Sequence, residues 1–246
     1  MERYRCARVR ASNKKLTGRC TAEIGLADGK RFMTIAHHPD VSTLITCAAG
    51  SQPEALCAVI ASHLSVCPSC MREVSRLEKI GVVLFHDLIP EPLAQHAPVG
   101  GVKPNKKEEA AQRCGNHGPQ GDVPAPLSEV IGPWLDDIAW CLLGAGAWHF
   151  PIPLSKAAKG DLRLIKLSPG RALPKLAHKG DELALVLRGG CKDESKAFGP
   201  GDFAESNDVA DQLISAHVVH GCILLMASET ELKFGEPRYP FAGSFA

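Results

Sequence analysis

The chain lacks three things, and each lack excludes a class of function. No run of residues approaches the roughly 18–20 apolar positions that a membrane-spanning helix needs. The formal net charge is only +1, from 28 basic and 27 acidic side chains, so no overall field advertises a nucleic-acid or membrane partner. The first residues scatter their apolar side chains among arginines, unlike the layout of a secretory signal. The expected location is the cytoplasm. What is present is ordinary core material: 45% of the residues are apolar, enough for a soluble protein to build an interior. A length of 246 residues fits one large domain or, better, two smaller ones with a connection between them.

Ten cysteines are many for such a chain. Without an export signal, metal or redox chemistry is a better reading than a disulfide framework. Cys47, Cys57, Cys141 and Cys222 sit in apolar runs, where a cysteine behaves as a small hydrophobe. Cys67 and Cys70 differ, being close together and preceded by His63.

Four segments follow in order. Residues 1–32 carry nine Lys/Arg against three acidic residues and little apolar periodicity. They read as a disordered basic tail, or as an over-extended start with Met33 the native initiator, in preference to an arm that touches nucleic acid. Residues 33–90 carry helical signals. Val41, Leu44, Ile45 and Ala48 recur at helical spacing before Gly50, and Ser51-Gln52-Pro53-Glu54 reads as a capping box opening a second helix. On that helix Leu56, Val59, Ile60, His63 and Cys67 share a face, and a third helix runs from Pro68 with Met71, Val74, Leu77 and Ile80 as its stripe. A helical bundle of about 55 residues is close to the size at which a core alone is marginal and a metal staple helps. Residues 91–126, rich in proline, glycine, lysine and glutamine, read as a flexible linker. Cys114 and His117 lie there as half of a metal motif with no second half.

From residue 127 to 246 the pattern turns β. Leu162–Leu167 largely alternates, Glu182–Leu187 is a buried strand ended by Gly189-Gly190, and Phe198-Gly199-Pro200-Gly201-Asp202 is a turn. Ala216–Val219, Cys222–Met226 and Leu232–Phe234 supply later strands. Short strands between Gly/Pro turns predict an antiparallel barrel or jelly roll. The fold class is therefore α+β in two domains.

The most telling stretch is His63-x3-Cys67-x2-Cys70. Imidazole and thiolate are ligands zinc prefers, and a structural site wants four of them. His38 is the leading candidate for the fourth position, with His37 its competitor. One zinc would then clamp three helices at one end. Cys67-Pro68-Ser69-Cys70 also has the form of a thiol oxidoreductase motif, but that chemistry expects a preceding strand, and a helix stands there. A regulatory role, in which oxidation ejects the metal, stays open.

Met33-Thr34-Ile35-Ala36-His37-His38, then His63-x3-Cys67-x2-Cys70, then a β domain, resembles the ChrR-type zinc-binding anti-sigma factors. His38-x24-His63-x3-Cys67-x2-Cys70 matches that family's ligand spacing without a gap, which selects His38 over His37. The resemblance covers about Met33 to Phe234. It implies one structural zinc held by His38, His63, Cys67 and Cys70. It also implies that the helical domain sequesters an extracytoplasmic-function sigma factor, away from core RNA polymerase. The β domain would be a cupin that tunes release under a stress signal, which in the type member is singlet oxygen.

Cupins converge two histidines and a glutamate on one metal through Gly-x5-His-x-His-x3-Glu-x6-Gly. Here the run is Gly170-x5-Leu176-Ala177-His178-x3-Glu182-x6-Gly189, so Leu176 replaces the first histidine. The fourth position of the resembling family falls on Gln212. His178 and Glu182 remain as a degenerate site, and a second, tightly bound metal is not expected.

A cytoplasmic anti-sigma factor, with no catalytic residues and no direct nucleic-acid or membrane partner, is the leading reading. Val82, Val83, Leu84, Phe85 and Leu88 are candidates to face the sigma factor, against the alternative of packing inside the bundle. The alternative function is a cupin metalloenzyme, a dioxygenase or isomerase with an accessory zinc domain. A zinc-finger DNA-binding protein is disfavoured, because no basic recognition helix lies outside the N-terminal arm.

Overall fold

The computed structural model describes residues 35–86, 121–173, 176–177, 180–193, 195–207 and 214–234. The basic N-terminal segment and most of the proline-rich linker fall outside that set.

Three helices come first. Helix α1 spans Val41–Ala48 and ends at Gly50, whose φ of 69° suits a residue without a Cβ. Helix α2 spans Glu54–Leu64, and α3 spans Pro68–His86, opening on a proline whose missing N–H is an orphan at that position anyway. Among the expected α1 stripe only Leu44 is buried, while Val41 and Ile45 stand in solvent. The expected capping box does not form. Pro53 takes the N-cap position without a side-chain cap, and the Glu54 carboxylate accepts hydrogen bonds from Ser155 N–H at 2.9 Å and Ser155 Oγ at 2.5 Å. A partner about a hundred residues away outcompetes the local one.

The β part is built on a six-stranded antiparallel sheet. Its strands are β1 (Cys141–Gly144), β2 (Ala147–Pro151), β3 (Asp161–Leu167), β5 (Asp181–Gly189), β8 (Phe203–Asn207) and β10 (Cys222–Ser228), in the order β1-β2-β3-β10-β5-β8. Two-residue strands β4 (Leu176–Ala177) and β11 (Lys233–Phe234) pair with each other. Strands β6 (Cys191–Lys192), β7 (Ala197–Phe198) and β9 (Ser215–Ala216) form a third small sheet. The expected strand at Ala216–Val219 stops at Ala216, and His217–His220 make an exposed turn instead. This helices-then-antiparallel-sheet order is the α+β architecture expected.

Alternation along the strands divides the apolar residues between two faces. Leu162, Leu164, Leu183, Leu185, Leu225 and Phe203 face one side, and there they pack with Ala55, Leu56, Ala58, Val59 and Ile60 of α2. Ile165, Leu167, Ala184, Val186, Leu224 and Met226 face the other and enclose Cys191 and Cys222. Helix α2 is therefore not mainly the centre of a helical bundle. Its apolar face finishes the core of the sheet, and α1 and α3 flank it. Residues 121–126, at the tail of the expected linker, also join this packing: Val123 is sealed in the core and Asp122 accepts the Leu135 N–H. Asp122 and Asp136 both pair with Arg188 of β5. No helix among the described residues is long and apolar enough to cross a membrane.

Candidate metal centre

Four side chains from three pieces of chain meet at the start of α3. His63 lies in the last turn of α2, Cys67 in the connection, Cys70 in the first turn of α3, and His38 in the extended segment ahead of α1. Their donor atoms all lie within 4.8 Å of one another. His63 Nε2 is 3.4 Å from Cys70 Sγ, and His38 Nδ1 is 3.4 Å from both Cys67 Sγ and Cys70 Sγ. A tetrahedral zinc, with Zn–N near 2.0–2.1 Å and Zn–S near 2.3 Å, sets its nitrogen and sulfur ligands about 3.5 Å apart. The donor set and its spacing fit one such ion. Among the described residues no other group of three or more His, Cys, Asp or Glu comes together in this way.

Local chemistry explains the arrangement. One helical turn separates His63 from Cys67, and Pro68 turns the chain into α3 so that Cys70 comes back to the same point. His63, Cys67 and Cys70 are buried, while His38 closes the site from the solvent side. The His63 ring stands edge-on to Phe203 with centroids 5.3 Å apart. Its Nδ1 is 3.0 Å from the Gly201 carbonyl oxygen, which can only accept, so the proton sits on Nδ1 and Nε2 is left free toward the sulfurs. Burial pulls the His63 pKa down to about 4 despite that bond, and a neutral imidazole is the metal-binding form. Burial first, and then the Cys67 thiol, push Cys70 up to about 12, so in the metal-free chain Cys70 keeps its proton. Two thiolates side by side in such a place need a cation.

A histidine directly before a proline suggests a helix start, but His38 is not at one. It lies two residues ahead of the Asp40 N-cap, in a stretch held against the β domain. His37 is directed elsewhere, with its ring 4.6 Å from that of Phe198 and its Nδ1 3.3 Å from Asp202 Oδ2. Of the two histidines the structure brings His38 to the cluster.

The remaining cysteines among the described residues fall into three kinds. Burial, then Cys57 and Glu78, raise Cys47 to about 11, and burial and Glu54 raise Cys57, as expected of inert thiols. A hydrogen bond with Cys191, and then burial, push Cys222 far up. Cys141 departs from the expectation of an inert thiol, because it is disulfide-bonded.

In the β domain, Glu182 is buried on β5. Leu176 lies on β4, opposite Phe234 in register. His178 and Gln212 fall outside the described residues, so the degenerate cupin motif stays an expectation. In the sequence, Asp202 and Gly201 read only as part of a turn. Nothing local in Gly199-Pro200-Gly201-Asp202 signals the contacts they make with residues more than 130 positions away.

No family model matches the chain. It is 31% identical over 202 residues to the anti-sigma-E factor ChrR of Cereibacter sphaeroides, a match covering 82% of this chain and 93% of ChrR. This chain belongs to the ChrR family of anti-sigma factors. The crystal structure of Rhodobacter sphaeroides SigE in complex with ChrR supplies a structural counterpart. It is 30% identical, has a TM-score of 0.64, and covers 79% of this chain and 99% of the other. KdgF from Halomonas resembles the chain only distantly, at 12% identity and a TM-score of 0.32 over 39% of this chain and 91% of its own. Membership of the ChrR family makes the chain a regulator, and the metalloenzyme alternative finds no support.

Proposed function

We propose that this protein sequesters an extracytoplasmic-function sigma factor, and that its centre at His38, His63, Cys67 and Cys70 holds one structural zinc. The zinc would tie α2, α3 and the segment ahead of α1 at a single point. It supplies folding free energy, about 10–16 kcal/mol in small zinc domains, and no chemistry of its own. The observation that carries the reading is the four-donor cluster at the root of α3, in a chain related to ChrR along most of its length.

Helix α3 supplies a surface for the partner. Beyond Leu77 its apolar residues leave the packed region: Ile80, Val82, Val83 and Leu84 are 58–71% exposed. Adjacent exposed aliphatic side chains of this kind mark interaction sites. The Phe85 side chain and Leu88 lie outside the described residues. Release would shift a sigma-bound state toward a free one, biased by the cupin-like β domain or by the zinc thiolates. An oxidative signal acting on Cys67 and Cys70 would eject the metal and loosen the root of α3. The expected compartment is the cytoplasm, where sigma factors work.

Co-purification from the native host, with metal analysis on the same sample, tests this reading. A sigma factor and one zinc per chain are expected. A Cys70→Ser protein that still inhibits sigma-dependent transcription at full potency would overturn the structural role of the metal.

A further inference from the structure

The β domain reaches into the metal centre through a single turn, between β7 and β8. The Asp202 carboxylate is its hub. Asp202 Oδ1 accepts the backbone N–H groups of Ala36 at 2.7 Å and His37 at 3.0 Å, and Oδ2 accepts Gly199 N–H at 2.8 Å and lies 3.3 Å from His37 Nδ1. Phe203 N–H donates to His37 C=O at 3.1 Å, and Asp40 N–H donates to Glu205 Oε1 at 3.1 Å. Residues 36–40, which carry His38, are thus pinned on both sides of the ligand to consecutive parts of the β domain. Next to Asp202, the Gly201 carbonyl orients the His63 ring. Gly201 itself is closely packed: its φ is 88°, and a Cβ there would come within 3.0 Å of Ile35. Asp202 is only 5% exposed, so bulk water does not substitute for these bonds.

We propose that Asp202 is a positioning residue of the metal centre: a β-domain carboxylate that holds the His38-bearing segment in place and, through its turn, the His63 ring. The proposal rests on the zinc reading above and adds a route to regulation. Three of the four donors, His63, Cys67 and Cys70, are carried by α2, α3 and their connection, while His38 depends on the β domain for its place and His63 for the orientation of its ring. Displacing the turn at residues 199–203 loosens both histidines together. Coupling of this kind is reciprocal. A change that lifts the turn weakens the metal, and removal of the metal frees the turn. Partners that orient metal ligands from outside the first ring contribute about 10–100-fold in metal affinity.

The test uses the purified full chain. Zinc affinity is measured by competition with a chromophoric chelator, and backbone exchange of residues 35–40 by hydrogen–deuterium exchange with and without zinc. Asp202→Ala is expected to weaken zinc about 10–100-fold and to open the Ala36 and His37 amides to exchange. Asp202→Asn keeps an oxygen for those amides and, being isosteric, guards against a variant that misfolds; its loss should be smaller than that of Asp202→Ala. Glu54→Gln weakens a different joint between helix and β domain, the one to Ser155, and should leave zinc affinity at the wild-type value. Wild-type zinc affinity in a folded Asp202→Ala protein would overturn the proposal and leave the zinc reading standing. Equal loss in Glu54→Gln and Asp202→Ala would also overturn it, because it would mean general undocking. If the wild-type chain itself binds no zinc, the reading of the centre fails, and amide exchange in Asp202→Ala still decides whether the clamp exists.

Discussion

The two ends of α3 obey opposite rules. At its first turns Cys70 and Val74 are only 5% and 6% exposed, and the helix is tied to His63, Cys67 and His38. At its far end Val82, Val83 and Leu84 are 69%, 66% and 71% exposed, with no described residue covering them. A helix this rich in aliphatic residues at its tip would gain by folding the tip back onto the core, since each buried aliphatic side chain is worth roughly 1.5–3 kcal/mol. The tip instead continues the same helix away from the buried root. If the function proposed above holds, the contrast is how a small regulator presents a sticky surface: a metal at the root would fix the direction of the helix and leave the apolar tip for a partner.

Cys70→Ser attacks the root and should have the largest effect. Metal content falls to background, and sigma-factor binding is lost in a pull-down with the purified partner. If binding persists at full strength, root and tip are independent and the contrast has no functional meaning. Leu56→Ala removes a fully buried side chain between α2 and the sheet. It should cost about 2–5 kcal/mol of stability in urea unfolding, and a smaller cost would show that α2 is not part of the sheet's core. Charging the tip, with Val83→Glu and Leu84→Glu together, should reduce sigma-factor binding at least about tenfold, since it spoils an apolar contact. Stability should stay within about 0.5 kcal/mol, as for other surface substitutions. Wild-type affinity there would move the docking surface elsewhere.

The smallest effect probes the β domain. Burial, and then Arg163, hold the His149 imidazole pKa below its ordinary 6.5. The unfolded chain therefore takes up a proton that the folded one refuses. Stability from this residue is fully present above pH 6.5 and declines as the pH falls below it, until His149 itself titrates in the folded state. His149→Gln should flatten that part of the urea-midpoint profile, and an unchanged slope would show that another group is responsible.

Local pattern accounts for some of this protein and long-range contact for the rest. Three of the four clustered donors were legible because His63, Cys67 and Cys70 lie within eight residues and their spacing follows the helix and the proline that interrupts it, whereas His38 was set apart from His37 only by the family resemblance. Strands β3, β5 and β10 were legible from their alternating or continuous aliphatic runs. The face of α2 was also legible, but not what it faces, because periodicity marks a buried side without naming the surface that buries it. Glu54 misled for the same reason, since its sequence neighbours offered a cap while Ser155 offered more. Asp202 carries no local signal at all. Its meaning comes from the amides of Ala36 and His37, brought to it only by the finished fold.

Zinc-edge X-ray absorption on the purified full chain tests the central claim most directly. The account predicts one zinc per chain, with two sulfur ligands at about 2.3 Å and two nitrogen ligands at about 2.0–2.1 Å. A shell without sulfur, or one left unchanged in Cys67→Ser, would contradict it.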